Sequence, residues 1–249
     1  MNGKMSPIIG HRGVAGLAPE NTIAGIRKAV EMGLKWIELD VTLLGDGTPV
    51  MFHDAKLKRT TNGHGYINSI TAHEANRLDA GSWFSDIYAG EKIPSFASSL
   101  EHVKTTGLGL NLEIKPNRCD QALLVKKVND VLQQTEFPVS QLIVSSFNID
   151  TLILLGGYSS QRCACLFERL PRNWRVTAEH VNAVNIHLNG NNLSEKTVHM
   201  VKEAGYGVYC YTVNKLGQAK VLFNWGVDGV FSDYPDHLIS DETSGLGSQ

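Results

Sequence analysis

The feature that most constrains the fold is a regular alternation of two kinds of segment along nearly the whole chain. Short runs rich in β-branched and other apolar residues predict buried strands, and many of these runs are followed by apolar residues at helical spacing. The eight strand-like runs are SPIIGHRG, KWIELDV, LGLNLEIK, QLIVSSF, RCACLFE, AVNIHLN, GVYCYTV and DGVFSDY. Strands that alternate with helices in this way predict a parallel sheet.

The number of these units indicates how the sheet is arranged. Eight βα units in 249 residues favour a closed TIM (β/α)8 barrel over an open doubly wound sheet. The sequence contains no G-x-G-x-x-G or P-loop pattern, which weakens the dinucleotide-binding alternative. No Pro- or Ser-rich linker divides the chain, so we predict one barrel domain over residues 1–249. Thr22 is the expected N-cap of the first helix, and a glycine closes the patterns SEKTVHMVKEAG and KLGQAKVLFNWG.

One further strand-like run, VMFHD, follows the second strand without an intervening helix. The pair Asp46-Gly47 between them is a hairpin signal, so we predict that the second strand extends past the barrel rim and returns. A turn centred on this pair would set Asp40 opposite His53. The stretch of about residues 57–94 has weak periodicity and many Gly and Asn residues, and we predict that it is an insertion over the barrel mouth.

Composition excludes several classes of function. The formal net charge of −2 argues against non-specific binding to nucleic acid. No apolar run approaches the roughly 20 residues that a membrane-spanning helix needs, and the first residues lack the apolar core of a secretion signal. The four cysteines form no zinc-site pattern, so we expect reduced thiols and a cytoplasmic protein without a membrane anchor. The oligomeric state stays open.

Polar residues gather where several predicted strands end, and in a TIM barrel the carboxyl ends of the strands surround the active site. Seven such residues are predicted to share this rim: His11, Arg12, Glu38, Asp40, His53, Glu113 and Lys115. Each alone has an ordinary structural explanation, for example an ion pair between Glu113 and Lys115. A functional site is favoured because all seven residues are predicted to lie at the same rim of the barrel.

Taken together, the residue types in this set suggest phosphoester hydrolysis. Three carboxylates with no thiolate form a site for a hard divalent cation, either Ca²⁺ or Mg²⁺. Arg12 and Lys115 beside such a cation would attract an anion, and arginine matches phosphate oxygens well. The two histidines suit a reaction in which one proton is removed and one is delivered.

The order of motifs HRG, PENT, ELD, HD, RTTNG and LEIKP resembles the glycerophosphodiester phosphodiesterase family, and the bacterial cytoplasmic members in particular. The resemblance implies a TIM barrel that uses one divalent cation. It also implies hydrolysis of a small-molecule glycerophosphodiester to sn-glycerol 3-phosphate and an alcohol. By position in the motifs, it makes Glu38, Asp40 and Glu113 the metal ligands. It makes His11 and His53 the acid/base pair and assigns the phosphate to Arg12 and Lys115.

Four aromatic residues are candidate walls of the substrate pocket. Phe147 lies at a strand end and Tyr211 stands where many relatives carry Trp, while Trp83 and Phe84 lie in the predicted insertion. Core packing is the simpler role for at least one of them.

Three rival functions are consistent with the same fold. A related phosphodiesterase for lysophospholipids or phosphoinositides would need an apolar lip or membrane anchor, and a catalytically silent phosphate-binding barrel would be expected to lack one of these residues. A sugar-phosphate isomerase would not need two histidines with clustered carboxylates.

Position in the chain favours His11 as the general base and His53 as the general acid of the predicted hydrolysis.

Overall fold

The computed structural model describes residues 3–157 and 162–239, and its strands form a closed barrel. The strands of the described residues are β1 (Ile8–Gly10), β2 (Trp36–Leu43), β3 (Pro49–Met51), β4 (Gly109–Ile114), β5 (Leu142–Ser146), β6 (Cys163–Phe167), β7 (Ala183–Asn189), β8 (Gly207–Tyr211) and β9 (Gly229–Ser232). All except β3 pair in parallel in the order β1-β9-β8-β7-β6-β5-β4-β2. The barrel closes where Gly10 of β1 pairs with Ile37 of β2. The prediction of a TIM barrel is confirmed.

Helices lie between the barrel strands in sequence. Those of the described residues are α1 (Ile23–Glu31), α2 (Ala72–Ala75), α3 (Phe96–Thr106), α4 (Gln121–Gln134), α5 (Ile149–Gly156), α6 (Trp174–His180), α7 (Glu195–Glu203), α8 (Leu216–Asn224) and α9 (Asp236–Ile239). The Thr22 side chain accepts a hydrogen bond from Gly25 N, as expected of the N-cap of α1. Gly205 and Gly226 follow α7 and α8 with φ angles of 90° and 93°, a conformation that glycine adopts without strain. Among the described helices, none has the length and apolar character required to cross a membrane.

The side chains of each barrel strand alternate between two environments. One set faces outward and packs against the helices, as Ile37 and Leu39 of β2 and Leu112 of β4 do. The other set fills the barrel interior, whose lower part is an apolar plug of Met5, Ile9, Ile143, Ala164, Tyr209 and Phe231. Polar side chains therefore collect above this plug, at the carboxyl ends of the strands, where a functional site is expected.

The predicted hairpin after β2 is present, but its register differs from the prediction by one residue. β3 pairs antiparallel with β2, and Phe52 N donates to Asp40 O at 3.0 Å, so Phe52 and not His53 lies opposite Asp40. The loop consists of the three residues 45–47, with Gly47 in the left-handed region at φ 79°. A three-residue loop with glycine at this position is a common hairpin form, and its odd length shifts the pairing relative to a two-residue turn.

Residues 57–94 have a hydrophobic cluster of their own. It joins Leu57, Ile67, Ala75, Ala80 and Ile93 to three side chains of the hairpin, Leu44, Val50 and Phe52. The segment contains α2 and short 3₁₀ turns, and it is anchored to the hairpin by this cluster. The division of the chain into one domain with an insertion over the mouth stays a prediction.

Candidate active site

A cavity of about 330 Å³ opens at the carboxyl ends of the barrel strands. Its described lining residues include eight predicted site residues: His11, Arg12, Glu38, His53, Glu113, Lys115, Phe147 and Tyr211. The ninth, Asp40, is 1% exposed and belongs to the carboxylate cluster beside this lining. The structure therefore brings together residues that are up to 200 positions apart in the chain, which is the distance from His11 to Tyr211. Closure of the barrel is the reason, because it brings the ends of all eight strands to one rim.

Three buried carboxylates form the most charged part of this site. One oxygen from each of Glu38, Asp40 and Glu113 lies within 4.8 Å of the other two. Within the described residues, Glu38 Oε1 and Asp40 Oδ1 accept no hydrogen bond. Burial, together with the nearby Asp40 carboxylate, raises the pKa of Glu38 well above its usual value and that of Glu113 to about 7. Buried oxygens without partners are costly, and a divalent cation bound among them would satisfy them.

Asp40 makes two hydrogen bonds with the side chain of Asn21, one through its carboxylate and one through its backbone. Asn21 donates its Nδ2 to Asp40 Oδ2 at 2.8 Å, and its Oδ1 accepts from the Asp40 backbone N–H at 2.9 Å. Burial alone would raise the pKa of Asp40, but the charges of Lys115 and Arg12 outweigh this effect and lower it. The two neighbouring cations therefore favour the ionised form of Asp40, whereas burial disfavours the ionised form of Glu38.

Two cations flank the carboxylates and face the cavity. Lys115 Nζ lies 2.6 Å from Glu113 Oε1 and 3.6 Å from Asp40 Oδ1, while Arg12 Nε lies 3.6 Å from Asp40 Oδ2. Both side chains are 17% exposed, and both residues line the cavity. Lys115 Nζ also lies 5.5 Å from the centre of the Phe147 ring. The pair can bind an anion next to the carboxylate cluster.

Each of the two predicted catalytic histidines is oriented by a carboxylate. His11 Nδ1 lies 2.7 Å from Asp233 Oδ1, and His53 Nδ1 lies 2.7 Å from Asp54 Oδ1. Because carboxylate oxygens only accept, each Nδ1 carries the proton and each Nε2 is left for chemistry. His11 Nε2 lies 3.9 Å from Glu38 Oε2, which places it beside the carboxylate cluster. Burial lowers the pKa of His53, although the Asp40 charge opposes this shift.

The sequence analysis assigned no role to several residues that line the cavity or contact its lining. Asp54, Asp233 and Glu20 accept hydrogen bonds from His53, His11 and Arg12, and they lie in the HD, FSDY and PENT stretches of the sequence. Glu168 and Asn111 also line the cavity. The available signal was strand alternation, since Asn111 is two residues before Glu113 on β4 and therefore faces the same side.

The four aromatic candidates divide into two groups. Phe147 and Tyr211 line the cavity, and their rings meet edge to face with centroids 5.6 Å apart. Burial raises the pKa of Tyr211, whose hydroxyl has no hydrogen-bond partner among the described residues. Trp83 instead lines a shallow neighbouring groove beside His11, and Phe84 packs against the rings of Trp83 and Tyr88. Trp83 and Phe84 are therefore not part of the lining of the main cavity.

His187 lies on the floor of the cavity and is fully buried. Its ring packs against Phe231 and Tyr209 at centroid distances of 5.0 and 5.6 Å, and neither ring nitrogen has a hydrogen-bond partner within the described residues. Burial lowers its pKa to about 3, so the ring is neutral in the folded protein near neutral pH. This residue of β7 therefore lies in an aromatic setting at the base of the cavity.

This burial predicts an acid-sensitive contribution to stability. Between pH 6.5 and 3 the unfolded state takes up a proton at residue 187 that the folded state does not, so stability falls as the pH falls. We expect the free energy of unfolding lost between pH 7 and pH 4 to be smaller by about 3 kcal/mol in His187→Leu than in the wild type. Urea unfolding at both pH values measures the difference, with His64→Leu at an exposed histidine as the control. Equal losses in the wild type and His187→Leu would contradict it.

Comparisons with known proteins agree with this geometry. A sequence model described as the glycerophosphoryl diester phosphodiesterase family matches residues 11–237. The chain is 36% identical to Bacillus subtilis YhdW over 244 residues, which cover 94% of this chain and 97% of that protein. It is 32% identical to a glycerophosphodiester phosphodiesterase of Caldanaerobacter subterraneus over 235 residues, covering 94% and 96% of the two chains. A solved Oleispira antarctica phosphodiesterase, in complex with the product sn-glycerol-3-phosphate, is 37% identical with a TM-score of 0.93 and covers 97% and 98%.

Proposed function

The chain belongs to the glycerophosphoryl diester phosphodiesterase family and hydrolyses glycerophosphodiesters, and we propose that it does so with one divalent cation and two histidines. The proposed products are sn-glycerol 3-phosphate and a free alcohol. The observation that carries the proposal is the cavity itself, in which three carboxylates, two cations and two oriented imidazoles converge. A cytoplasmic location is part of the proposal, in keeping with the reduced thiols expected from the sequence.

Glu38, Asp40 and Glu113 are the proposed metal ligands. Their clustered oxygens fit a hard cation, and Glu38 Oε1 and Asp40 Oδ1, which accept no hydrogen bond from the described part of the chain, are the atoms that such an ion would satisfy. When bound, Ca²⁺ or Mg²⁺ supplies electrostatic stabilisation of the charge that develops on the phosphate oxygens. The choice between the two ions is left to experiment, since carboxylate oxygens suit both.

Arg12 and Lys115 are the proposed phosphate-binding residues. They stand on either side of Asp40 with part of each side chain accessible, and Phe147 and Tyr211 form the adjacent wall for the organic part of the substrate. The ion pairs of Arg12 with Glu20 and of Lys115 with Glu113 hold both side chains in place before substrate arrives, so little ordering is needed on binding.

Lys115→Ala tests this role. A charge-assisted hydrogen bond contributes about 1.5–3 kcal/mol, so we expect kcat/KM to fall at least about tenfold. Steady-state release of glycerol 3-phosphate measures the effect, and circular dichroism checks the fold because Glu113 loses its partner. Lys35→Ala, which removes an exposed lysine, is the matched control. A decrease of less than twofold in Lys115→Ala would place this lysine outside the substrate site.

The two histidines are the proposed proton carriers. We propose that His11 removes the proton from the substrate hydroxyl next to the phosphorylated carbon and that His53 protonates the departing alcohol. The oxygen of that hydroxyl forms a bond to phosphorus as the bond to the alcohol breaks, giving a cyclic 1,2-phosphate of glycerol. Water then opens the ring with the roles exchanged, which explains why two histidines are needed. Asp233 accepts a hydrogen bond from His11 Nδ1, and Asp54 accepts one from His53 Nδ1. Both Nε2 atoms are therefore available for these proton transfers.

A panel of glycerophosphodiesters with different alcohols tests the function directly. We expect glycerol 3-phosphate and the free alcohol to appear in equal amounts, as measured by a coupled enzymatic assay and mass spectrometry. Release of the phosphorylated alcohol with free glycerol would contradict the proposed bond cleavage. Hydrolysis of lysophospholipids in preference to the deacylated diesters would favour the rival lipid-directed reading, and no turnover of either class would favour the silent phosphate-binding barrel.

A further inference from the structure

Arg59 makes an unusually complete set of hydrogen bonds for a partly exposed side chain. Its Nε and Nη2 donate to the two oxygens of Asp54 at 2.7 and 2.9 Å. Its Nη1 and Nη2 donate to the two oxygens of Glu20 at 2.6 and 2.7 Å. The guanidinium therefore holds one carboxylate along each of two edges, and paired hydrogen bonds of this kind fix the position and the plane of both carboxylates.

Each of these carboxylates in turn holds a residue of the active site. Asp54 Oδ1 accepts from His53 Nδ1 at 2.7 Å, and Glu20 Oε1 accepts from Arg12 Nη1 at 2.8 Å. One unbroken series of hydrogen bonds therefore runs from His53 through Arg59 to Arg12. Arg59 itself is absent from the described lining of the cavity, so its effect on the reaction must pass through these neighbours.

The backbone of Arg59 belongs to residues 57–94 and not to a barrel strand. It ends a 3₁₀ turn whose first residue, Leu57, is buried in the hydrophobic cluster of that segment. Thr61 Oγ1 donates to Leu57 O at 2.8 Å and accepts from Gly63 N at 2.9 Å. These two hydrogen bonds link the start of the 3₁₀ turn to the end of the RTTNG sequence. These contacts explain a motif to which the proposed reaction gives no role.

We infer that Arg59 is a positioning residue that sets the orientation of both the His53 imidazole and the Arg12 guanidinium through Asp54 and Glu20. The inference rests on the proposed function, in which His53 transfers a proton and Arg12 binds the phosphate. Without Arg59, Asp54 and Glu20 lose two hydrogen bonds each, and their carboxylates are free to turn towards solvent. A proton carrier and a phosphate ligand would then lose their fixed geometry together, and small errors of position are costly at a reacting phosphorus.

The test compares Arg59→Ala, Arg59→Lys and Lys58→Ala in the full chain with glycerophosphocholine as the probe substrate. Lys58 is an exposed lysine of the same 3₁₀ turn and serves as the matched control. We expect kcat to fall at least about tenfold in Arg59→Ala, because several charge-assisted hydrogen bonds are lost. Arg59→Lys keeps the charge but cannot form both bidentate pairs, so we expect it to recover only part of the rate. Lys58→Ala is expected to match the wild type.

Chemical rescue separates positioning from simple stabilisation. The Arg59 side chain is 44% exposed, so added guanidinium can reach the space left in Arg59→Ala. We expect millimolar guanidinium to raise kcat of Arg59→Ala several-fold, with no such effect on the wild type, on Lys58→Ala, or in NaCl at the same ionic strength. We also expect Asp54→Ala and Arg59→Ala to be non-additive in the double variant, because Arg59 acts partly through Asp54.

A kcat of Arg59→Ala within twofold of the wild type would overturn the inference, as would full additivity with Asp54→Ala. A rate loss without any guanidinium rescue, in a variant whose melting temperature has fallen, would show that Arg59 only stabilises the segment. If Arg59→Ala does not fold, Arg59→Lys, which retains the charge, provides the test. A kcat of Arg59→Lys equal to that of the wild type would also overturn the inference. Failure of the proposed function is seen separately, because the wild type itself would then release no glycerol 3-phosphate.

Discussion

Removal of the divalent cation is expected to lower the rate of glycerophosphodiester hydrolysis by at least about 10³-fold, because metal stabilisation of the phosphoryl charge is worth several kcal/mol. The carboxylates of Glu38, Asp40 and Glu113 would also repel one another without it. Dialysis against a chelator, followed by elemental analysis and an activity assay, measures the loss. Addition of Ca²⁺ or Mg²⁺ is expected to restore activity, and titration of each ion identifies the preferred one.

Isosteric variants locate the ion. Glu38→Gln and Asp40→Asn are expected to weaken metal binding, as measured by calorimetry, while Glu101→Ala at an exposed position of α3 is the control. Retained metal affinity in Glu113→Ala would show that Glu113 only pairs with Lys115. Full activity in protein from which elemental analysis finds all metal removed would refute the metal assignment itself.

A substrate that lacks the hydroxyl next to the phosphorylated carbon is expected to bind but not to turn over. In the proposed path this hydroxyl attacks phosphorus from within the substrate, and intramolecular attack has a proximity advantage that makes a loss of at least about 10³-fold reasonable. The 2-deoxy analogue of glycerophosphocholine tests this, with its inhibition constant as the measure of binding and product release as the measure of turnover. Rapid hydrolysis of the analogue would exclude the cyclic path and favour direct attack by water.

Variants of the two histidines show which is the base and which is the acid in the proposed reaction. His53→Ala is expected to hydrolyse glycerophosphocholine very slowly but to recover activity on the p-nitrophenyl diester, whose leaving group needs no proton. His11→Ala is expected to be slow on both substrates, because the base is needed whatever the leaving group. The reverse pattern would exchange the two roles while leaving the cyclic path intact.

The sequence by itself determined the barrel and most of the rim. Local periodicity identified all eight barrel strands, and parallel strands in a closed barrel must bring their carboxyl ends together. The sequence therefore predicts that the polar residues at those ends, such as His11, Glu38 and Glu113, share one rim, and in the structure they line one cavity. This worked because strand alternation and strand direction are both properties of short segments.

Only the tertiary structure decided the partners of these residues. His11 bonds to Asp233, 222 residues away, and Arg59 of the 3₁₀ turn after the hairpin joins Glu20 to Asp54. The hairpin register also depended on a three-residue loop with Gly47 in the left-handed region, which a turn signal in the sequence does not specify. Such contacts arise when loops and distant segments pack against each other, and local residue patterns contain no information about that packing.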